Sequence, residues 1–323
     1  MEEVIIVGAG PCGLSAAAEL HKRGFKPLLL EKHAIVHSIY LYPTYMQFFS
    51  TPELLEIGGI PFTTPHEKPN RQEALSYYRK VAHHYGLRIH AYQEVTGIAP
   101  SSAGFEVIAA DRSGSQIHYN AKNVVVSTGY FDHPNMLGIP GEELPKVSHY
   151  FREAHPYTGT EVAIIGGNNS AVDAALELTR AGASVTIVYR GEGYSPSIKP
   201  WVRPIFESMV TKGKIRMLFN SRVEAIGQRQ IVVSTGGAEM HIDNDFVLAL
   251  TGFKPDRNLL SGAGVAFQGE YGLPVFDDTT METNVPGLYI AGVIASGMDA
   301  NEVFIETGRY HGVAIAEHIA SNA

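Results

Sequence analysis

Residues 7–20 read VGAGPCGLSAAAEL and contain the chain's only cysteine. Two chemistries meet in this stretch. Gly8, Gly10 and Gly13 form G-x-G-x-x-G, the spacing at which a backbone turn can cradle a dinucleotide pyrophosphate. The thiol of Cys12 falls in the first turn of the following helix, where positive potential lowers a thiol pKa and favours the nucleophilic thiolate. A bound pyrophosphate pushes the other way. Cys12 is therefore a candidate catalytic residue, and the alternative, a small buried hydrophobe filling the turn, stays open.

Each glycine has its own task. The first permits the tight turn, the second lets the backbone approach a phosphate, and the third allows close helix–strand packing. Pro11 completes the turn, and the helix start offers free N–H groups to an anion. Glu31, eighteen residues past Gly13 at the end of the next apolar run, can accept hydrogen bonds from both ribose hydroxyls of an adenosine. It would also repel a 2′-phosphate. This site, with Lys32 counted among its binding residues, is expected to hold FAD or NAD rather than NADP.

A degenerate second copy occupies GGNNSA at 166–171. Gly166 keeps the first position, Asn168 replaces the second glycine, and Ser170 precedes Ala171, which replaces the third. The acid expected at the end of the next strand is absent, and Tyr189 and Arg190 stand there instead. A guanidinium suits a 2′-phosphate, so this site is expected to prefer NADPH over NADH. Lys199 and Arg203, in SPSIKPWVRP, either add charge to that phosphate or are solvated surface cations.

Positioning two such turns takes two βαβ units. The first reads as a strand at 4–7, a helix at 14–22 stopped by Gly24, and a strand at 27–30 ending at Glu31; the second as a strand at 162–165, a helix at 172–180 stopped by Gly182, and a strand at 185–188. Parallel pairing follows from the helical crossovers, and the fold class is α/β with two Rossmann-like dinucleotide-binding domains. VVVSTG at 124–129, which includes Thr128 and Gly129, and FVLALTG at 246–252 look like matching exits from a domain. The connector DHPNMLGIPGEELP at 132–145 is rich in Pro and Gly, so the expected division is 1–131 and 250–323 for a discontinuous first domain and 132–249 for the insert. Asn70 with Glu73 after Pro69 predicts a capped helix over 71–84. Near the C-terminus a strand at 288–291 runs into Gly292, then a polar loop, then a helix at 303–319. A helix start aimed at a flavin would stabilise negative charge on the reduced ring. On its own the stretch is an ordinary strand and helix.

The composition narrows the partners. With net charge −8 and no basic run, nucleic acid and anionic membranes are disfavoured. The opening MEEVIIVGAG holds only four consecutive apolar residues before the turn, too few for a signal-peptide core or a membrane span, so a cytoplasmic location is expected. One cysteine excludes an internal disulfide framework and a Cys-rich metal site. Among the 14 histidines, His83 and His84 are adjacent on one helix and His33 and His37 have only Glu31 nearby in sequence, so no metal is expected. Tyr40, Tyr42, Tyr45, Phe48 and Phe49 form an aromatic cluster read as core, with stacking on a flavin or substrate as the alternative.

VGAGPCG with Glu31, VVSTG, VAIIGGNNSA, LTGFKPD and GLYIAG occur in the order found in thioredoxin-reductase-like flavoproteins, and the chain resembles that group over nearly its full length. Two departures are informative. Tyr150 and Glu153 fall about where thioredoxin reductases carry C-x-x-C, and Val293 replaces the aspartate that binds flavin ribitol in that group. GPCG, SHYFREAHPY, GGNNSAVDAALEL, YSPSIKPWV and AGVIASGMDAN together resemble the bacillithiol disulfide reductases, also called bacilliredoxin reductases. The resemblance implies FAD in the first domain, NADPH in the second, a homo-oligomer, and reduction of bacillithiol disulfide or of a bacilliredoxin carrying bacillithiol. On that reading Cys12 attacks the substrate disulfide, releasing one thiol and leaving a mixed disulfide to be resolved by reducing equivalents from the flavin. A ferredoxin- or flavodoxin-NADP reductase and a flavin-bound NADPH sensor without turnover are the alternatives.

Overall fold

The strand β1 (Glu2–Val7) carries the apolar run VIIV, whose four residues are all buried, as befits a parallel strand covered on both faces. The structure is a computed structural model and describes residues 1–270, 272–297 and 303–322. After β1 the chain enters α1 (Pro11–Lys22), with proline at its start. Beyond Arg23, Gly24 takes φ +88° while the Phe25 N–H reaches back to the Leu20 carbonyl at 3.2 Å. β2 (Leu28–Glu31) then pairs parallel with β1 through Ile6 and Leu29.

The chain continues through α2 (His37–Leu41), α3 (Pro52–Leu55) and α4 (Arg71–His84). The expected cap on α4 is present: Asn70 Oδ1 accepts the Glu73 N–H at 2.9 Å, and Glu73 Oε2 accepts the Asn70 N–H at 2.8 Å. β3 (Arg88–Ala91), β4 (Glu94–Ser101), β5 (Gly104–Ala110) and β6 (Gln116–Val126) complete a sheet ordered β3-β2-β1-β6-β5-β4. β6 alternates exposed and half-buried residues where it pairs antiparallel with β5, then becomes wholly buried over Val124, Val125 and Val126. That pattern switch marks the change from a water-facing hairpin to a covered sheet.

The insert contains β7 (Val147–Ser148), β8 (Glu161–Ile165), α5 (Asn169–Arg180), β9 (Ser184–Val188), α6 (Arg203–Thr211) and β10 (Ile215–Leu218), then β11 (Ser221–Ile226), β12 (Gln230–Thr235), β13 (Ala238–Asp243) and β14 (Phe246–Ala249). Its parallel sheet runs β10-β9-β8-β14-β7. Period-two alternation divides its core. Val162, Ile164, Val185, Ile187 and Leu248 pack with Val172, Leu176 and Phe206 of α5 and α6, whereas Ala163, Ile165, Val188 and Val247 pack with Val223, Ile231 and Val233 of the antiparallel β11-β12-β13 sheet. α7 (Asn258–Gly262), β15 (Phe267–Gln268), β16 (Leu273–Pro274), β17 (Leu288–Ile290), α8 (Ile305–Gly308) and α9 (His311–Ser321) follow, and β17 pairs parallel with the buried end of β6.

By contact density the chain forms two compact units, one of Met1–Tyr40, Met46–His133 and Phe253–Ala323, the other of Leu41–Tyr45 and Pro134–Gly252. Leu41–Tyr45 joins the second, with the Thr44 N–H bonded to the Arg152 carbonyl at 2.7 Å. Two sequence expectations are corrected. The single C-terminal helix is two, because the chain turns at Arg309: its guanidinium reaches the carbonyls of Glu53 and Glu56 at 2.8 and 2.7 Å, and its own carbonyl accepts the Ser15 hydroxyl at 2.7 Å. The aromatic cluster is not core, since of its five rings only Phe48 is buried; Tyr40, Tyr45 and Phe49 are exposed. No helix among the described residues is long and apolar enough to cross a membrane.

Candidate active site

The three glycines of the first turn meet three different surroundings. A methyl on Gly8 would lie 2.7 Å from the Ser127 carbonyl oxygen, and one on Gly13 would lie 2.2 Å from the Gly8 carbonyl oxygen, so both are places where backbone meets backbone. Around Gly10 there is open space. That is the position at which a phosphate must come close to the chain. No side chain caps α1, and Pro11 has no N–H, so the N–H groups of Cys12 and Gly13 open the helix without a side-chain acceptor.

Glu31 is buried, and both carboxylate oxygens are held: Oε2 accepts the Ala9 N–H at 2.7 Å and Oε1 the His33 N–H at 2.8 Å. Burial raises its pKa and the two N–H donors oppose that rise without cancelling it. Each oxygen retains acceptor capacity for a ribose hydroxyl. Lys32 pairs with a carboxylate, its Nζ lying 2.9 Å from Glu94 of β4. Thr128 is exposed and Gly129 takes φ +72° just past β6. Ser127, which sequence reading passed over inside VVVSTG, staples the turn: its hydroxyl lies 2.9 Å from the Val7 carbonyl and 3.1 Å from that of Gly8. An open Gly10, an uncapped helix start and a buried carboxylate with spare acceptors fit an adenine dinucleotide.

Cys12 meets the far end of the chain. Its Sγ would lie 2.8 Å from a methyl on Gly292 and 2.9 Å from one on Gly308, so the thiol is clamped between two glycine backbones. Burial pushes its pKa up to about 12, with the Glu306 carboxylate adding to the rise. Cys12 is half-buried in accessibility, and the direction of this shift runs against the activation expected from the helix start. Glu306 in turn accepts the Ser50 hydroxyl. Gly292, at φ +80°, donates its N–H to Nδ1 of His311 at 3.1 Å. His311 therefore carries its proton on Nε2, and burial lowers its pKa, which keeps the ring neutral. Val293 is buried and offers no carboxylate. Met298 to Asn301 of AGVIASGMDAN lie outside the described residues.

In the second turn Gly166 takes φ +134°, and a methyl there would lie 2.4 Å from the Leu250 carbonyl oxygen. Ala171 suffices at the third position because its Cβ would still stand 3.7 Å from that methyl. Asn168, at the helix start, gives α5 no side-chain cap and accepts the Ser197 hydroxyl at 3.2 Å instead. Ser170 is exposed in the first turn, and Arg190 is exposed with no ion pair or side-chain hydrogen bond among the described residues. Lys199 is not a solvated surface cation. It is buried, with Nζ 2.8 Å from Asp173 and its N–H on Asn169 Oδ1 at 3.0 Å. Arg203 pairs with Glu207 at 2.7 Å. No group of three or more His, Cys, Asp or Glu among the described residues is placed to hold a metal ion.

A family model described as pyridine nucleotide-disulphide oxidoreductase matches residues 5–292. The Bacilliredoxin reductase Bdr of Bacillus subtilis (strain 168) is 50% identical over 320 residues, covering 99% of this chain and 98% of that protein. Two solved structures of Bacillithiol Disulfide Reductase Bdr align along the chain. The one from Bacillus cereus has a TM-score of 0.97 at 50% identity, covering 100% of this chain and 99% of that one. The one from Staphylococcus aureus has a TM-score of 0.94 at 44% identity, covering 99% and 98%. The chain thus belongs to the pyridine nucleotide-disulphide oxidoreductases, in the bacillithiol disulfide reductase branch of the thioredoxin-reductase-like flavoproteins.

Proposed function

We propose that the chain is a cytoplasmic, homo-oligomeric NADPH-dependent disulfide reductase with FAD bound by residues 1–131 and 250–323, NADPH bound by 132–249, and bacillithiol disulfide or a bacilliredoxin mixed disulfide as substrate. The observation that carries it is the contrast between its two turns. One ends in a buried carboxylate with spare acceptors for ribose hydroxyls, the other in a tyrosine followed by a guanidinium that makes no ion pair among the described residues. When bound, FAD supplies the two-electron relay between nicotinamide and disulfide.

The chain's own groups have distinct roles on this reading. Gly10 and the start of α1 receive the FAD pyrophosphate, and Glu31 orients the adenosine ribose. Gly166, Asn168, Ser170 and the start of α5 receive the coenzyme pyrophosphate, while Arg190 takes the 2′-phosphate. Thr128, Gly129 and Gly292 border the FAD region. Lys32 and Lys199, each held by a carboxylate, are assigned to structure. Cys12, in the geometry described, is a packing residue. A nucleophilic role requires its thiol to leave the clamp of Gly292 and Gly308 and to lose a strongly held proton.

The experiment is NADPH oxidation by the FAD-loaded protein with a panel of disulfides. Rapid turnover with bacillithiol disulfide and little with glutathione disulfide is the expected result. Turnover with a ferredoxin or flavodoxin but with no disulfide would transfer the protein to the one-electron reductases, and no flavin reduction at all would leave a sensor.

A further inference from the structure

The two turns can be superposed residue by residue through their hydrogen bonds. Gly8 donates its N–H to the Leu30 carbonyl at 2.8 Å, and Gly166 donates its N–H to that of Val188 at 3.1 Å. One step further along each segment, Ala9 corresponds to Gly167 and Glu31 to Tyr189. In the first turn the Glu31 carboxylate binds the Ala9 N–H. In the second, an aromatic ring lies against the corresponding glycine.

That ring is closely backed. A methyl on Gly167 would stand 2.5 Å from Cγ and Cδ2 of Tyr189 and 2.8 Å from Cδ1; one on Gly191 would stand 2.5 Å from Cε1, 2.8 Å from Cζ and 3.0 Å from the hydroxyl oxygen. Both ends of the ring therefore rest on glycine. Neither glycine adopts the left-handed backbone that only glycine readily accepts, so it is room for the ring that these positions supply. The backbone beneath is fixed as well. The Tyr189 N–H bonds the Leu218 carbonyl at 2.9 Å, its carbonyl accepts the Ser221 N–H at 3.1 Å, and the Gly191 carbonyl accepts the Asn220 N–H at 2.9 Å.

We infer that Tyr189 is a specificity-determining residue for the coenzyme, a deduction that rests on the NADPH reading above. Seated on Gly167 and Gly191, its ring takes the place of the carboxylate that would bind a free 2′-hydroxyl and repel a 2′-phosphate. The adjacent Arg190 is thereby left with no acid at the strand end; Glu192, two residues on, makes no ion pair with it among the described residues, and the adenosine 2′-phosphate pairs with the guanidinium. Selectivity is built as much by excluding an acid as by supplying a cation.

The test uses the FAD-loaded protein in four forms: wild type, Tyr189→Phe, Tyr189→Glu and Gly167→Ala. Two quantities are read, the ratio of kcat/KM for NADPH over NADH, and the calorimetric Kd of adenosine 2′,5′-bisphosphate against AMP. Tyr189→Phe keeps the wild-type ratio. Tyr189→Glu lowers it by about 100-fold through like-charge repulsion, chiefly by weakening the bisphosphate. Gly167→Ala displaces the ring and lowers the ratio by about tenfold. Wild-type ratios in both Tyr189→Glu and Gly167→Ala, at normal flavin content and melting temperature, would overturn the inference while leaving the NADPH reading intact. A wild-type protein that binds AMP as tightly as the bisphosphate would sink both.

Discussion

A thiol with a pKa of about 12 should be almost silent to alkylating and disulfide reagents at neutral pH, and the size of that silence can be worked out. At pH 8 the thiolate fraction of such a group is roughly 10⁻⁴, against about a quarter for an unperturbed cysteine. Higher basicity gives back about 40-fold in intrinsic nucleophilicity, since reactivity rises by about half a log unit per pKa unit. The net deficit is about 50-fold from ionisation alone, and the closed contacts with Gly292 and Gly308 increase it. The assay is thiol titration of the FAD-loaded protein with an aromatic disulfide reagent, native and in denaturant. One equivalent should react promptly when unfolded, and at least about 50 times more slowly when native. Between pH 7.5 and 9.5 the native rate should climb about tenfold per pH unit without levelling, because the whole range lies below the pKa. A native rate within about threefold of the unfolded one, or a plateau near neutrality, would refute the assignment of desolvation as the dominant effect and restore the activated nucleophile.

Three further outcomes are expected. Gly13→Ala forces a methyl onto the Gly8 carbonyl and should cost about 1–3 kcal/mol, seen as a melting temperature about 2–12 °C lower, whereas Gly10→Ala, in open space, should fold with a loss of about 1 kcal/mol at most yet weaken FAD binding by about 10- to 100-fold, read by flavin fluorescence. Arg190→Ala should raise the KM for NADPH by about 10-fold or more and leave NADH unchanged, while Lys199→Ala, which strips the partner from Asp173, should lower the melting temperature with less than about threefold effect on that KM. Phe206→Ala should destabilise the insert by about 3–5 kcal/mol, measured by denaturant melts, since this α6 side chain is almost fully buried in the core formed by the parallel sheet and α5.

The sequence was most legible where local chemistry and tertiary need coincide. The strand–turn–helix of both fingerprints, the stop at Gly24 and the Asn70–Glu73 cap are short-range patterns, and each is present. What escaped reading depends on distant partners. Arg309 breaks the last helix because it must meet α1 and α3, more than 250 residues away along the chain. Lys199 turns to Asp173, and Lys32 to Glu94, for reasons that no composition rule exposes. Cys12 shows the limit best. Its place at a helix start was plain, but the two glycines packed against its sulfur lie 280 and 296 positions on, and the burial that raises its pKa depends on such distant parts of the chain.

The last three residues of β6 lie between β1 on one side and β17 on the other. β17 emerges only after the whole insert has been synthesised, so on the ribosome Val124, Val125 and Val126 wait with one row of amides and carbonyls unmatched. The insert, contiguous apart from a five-residue segment near the start, has the more local wiring and can mature first. The nascent N-terminal portion meanwhile offers a bare apolar edge to any neighbour. Aggregation during overproduction would then trace to this delay in closing the first sheet, and slower translation between residues 126 and 288 should worsen it, whereas slower translation before residue 124 or past residue 290 should leave it unchanged.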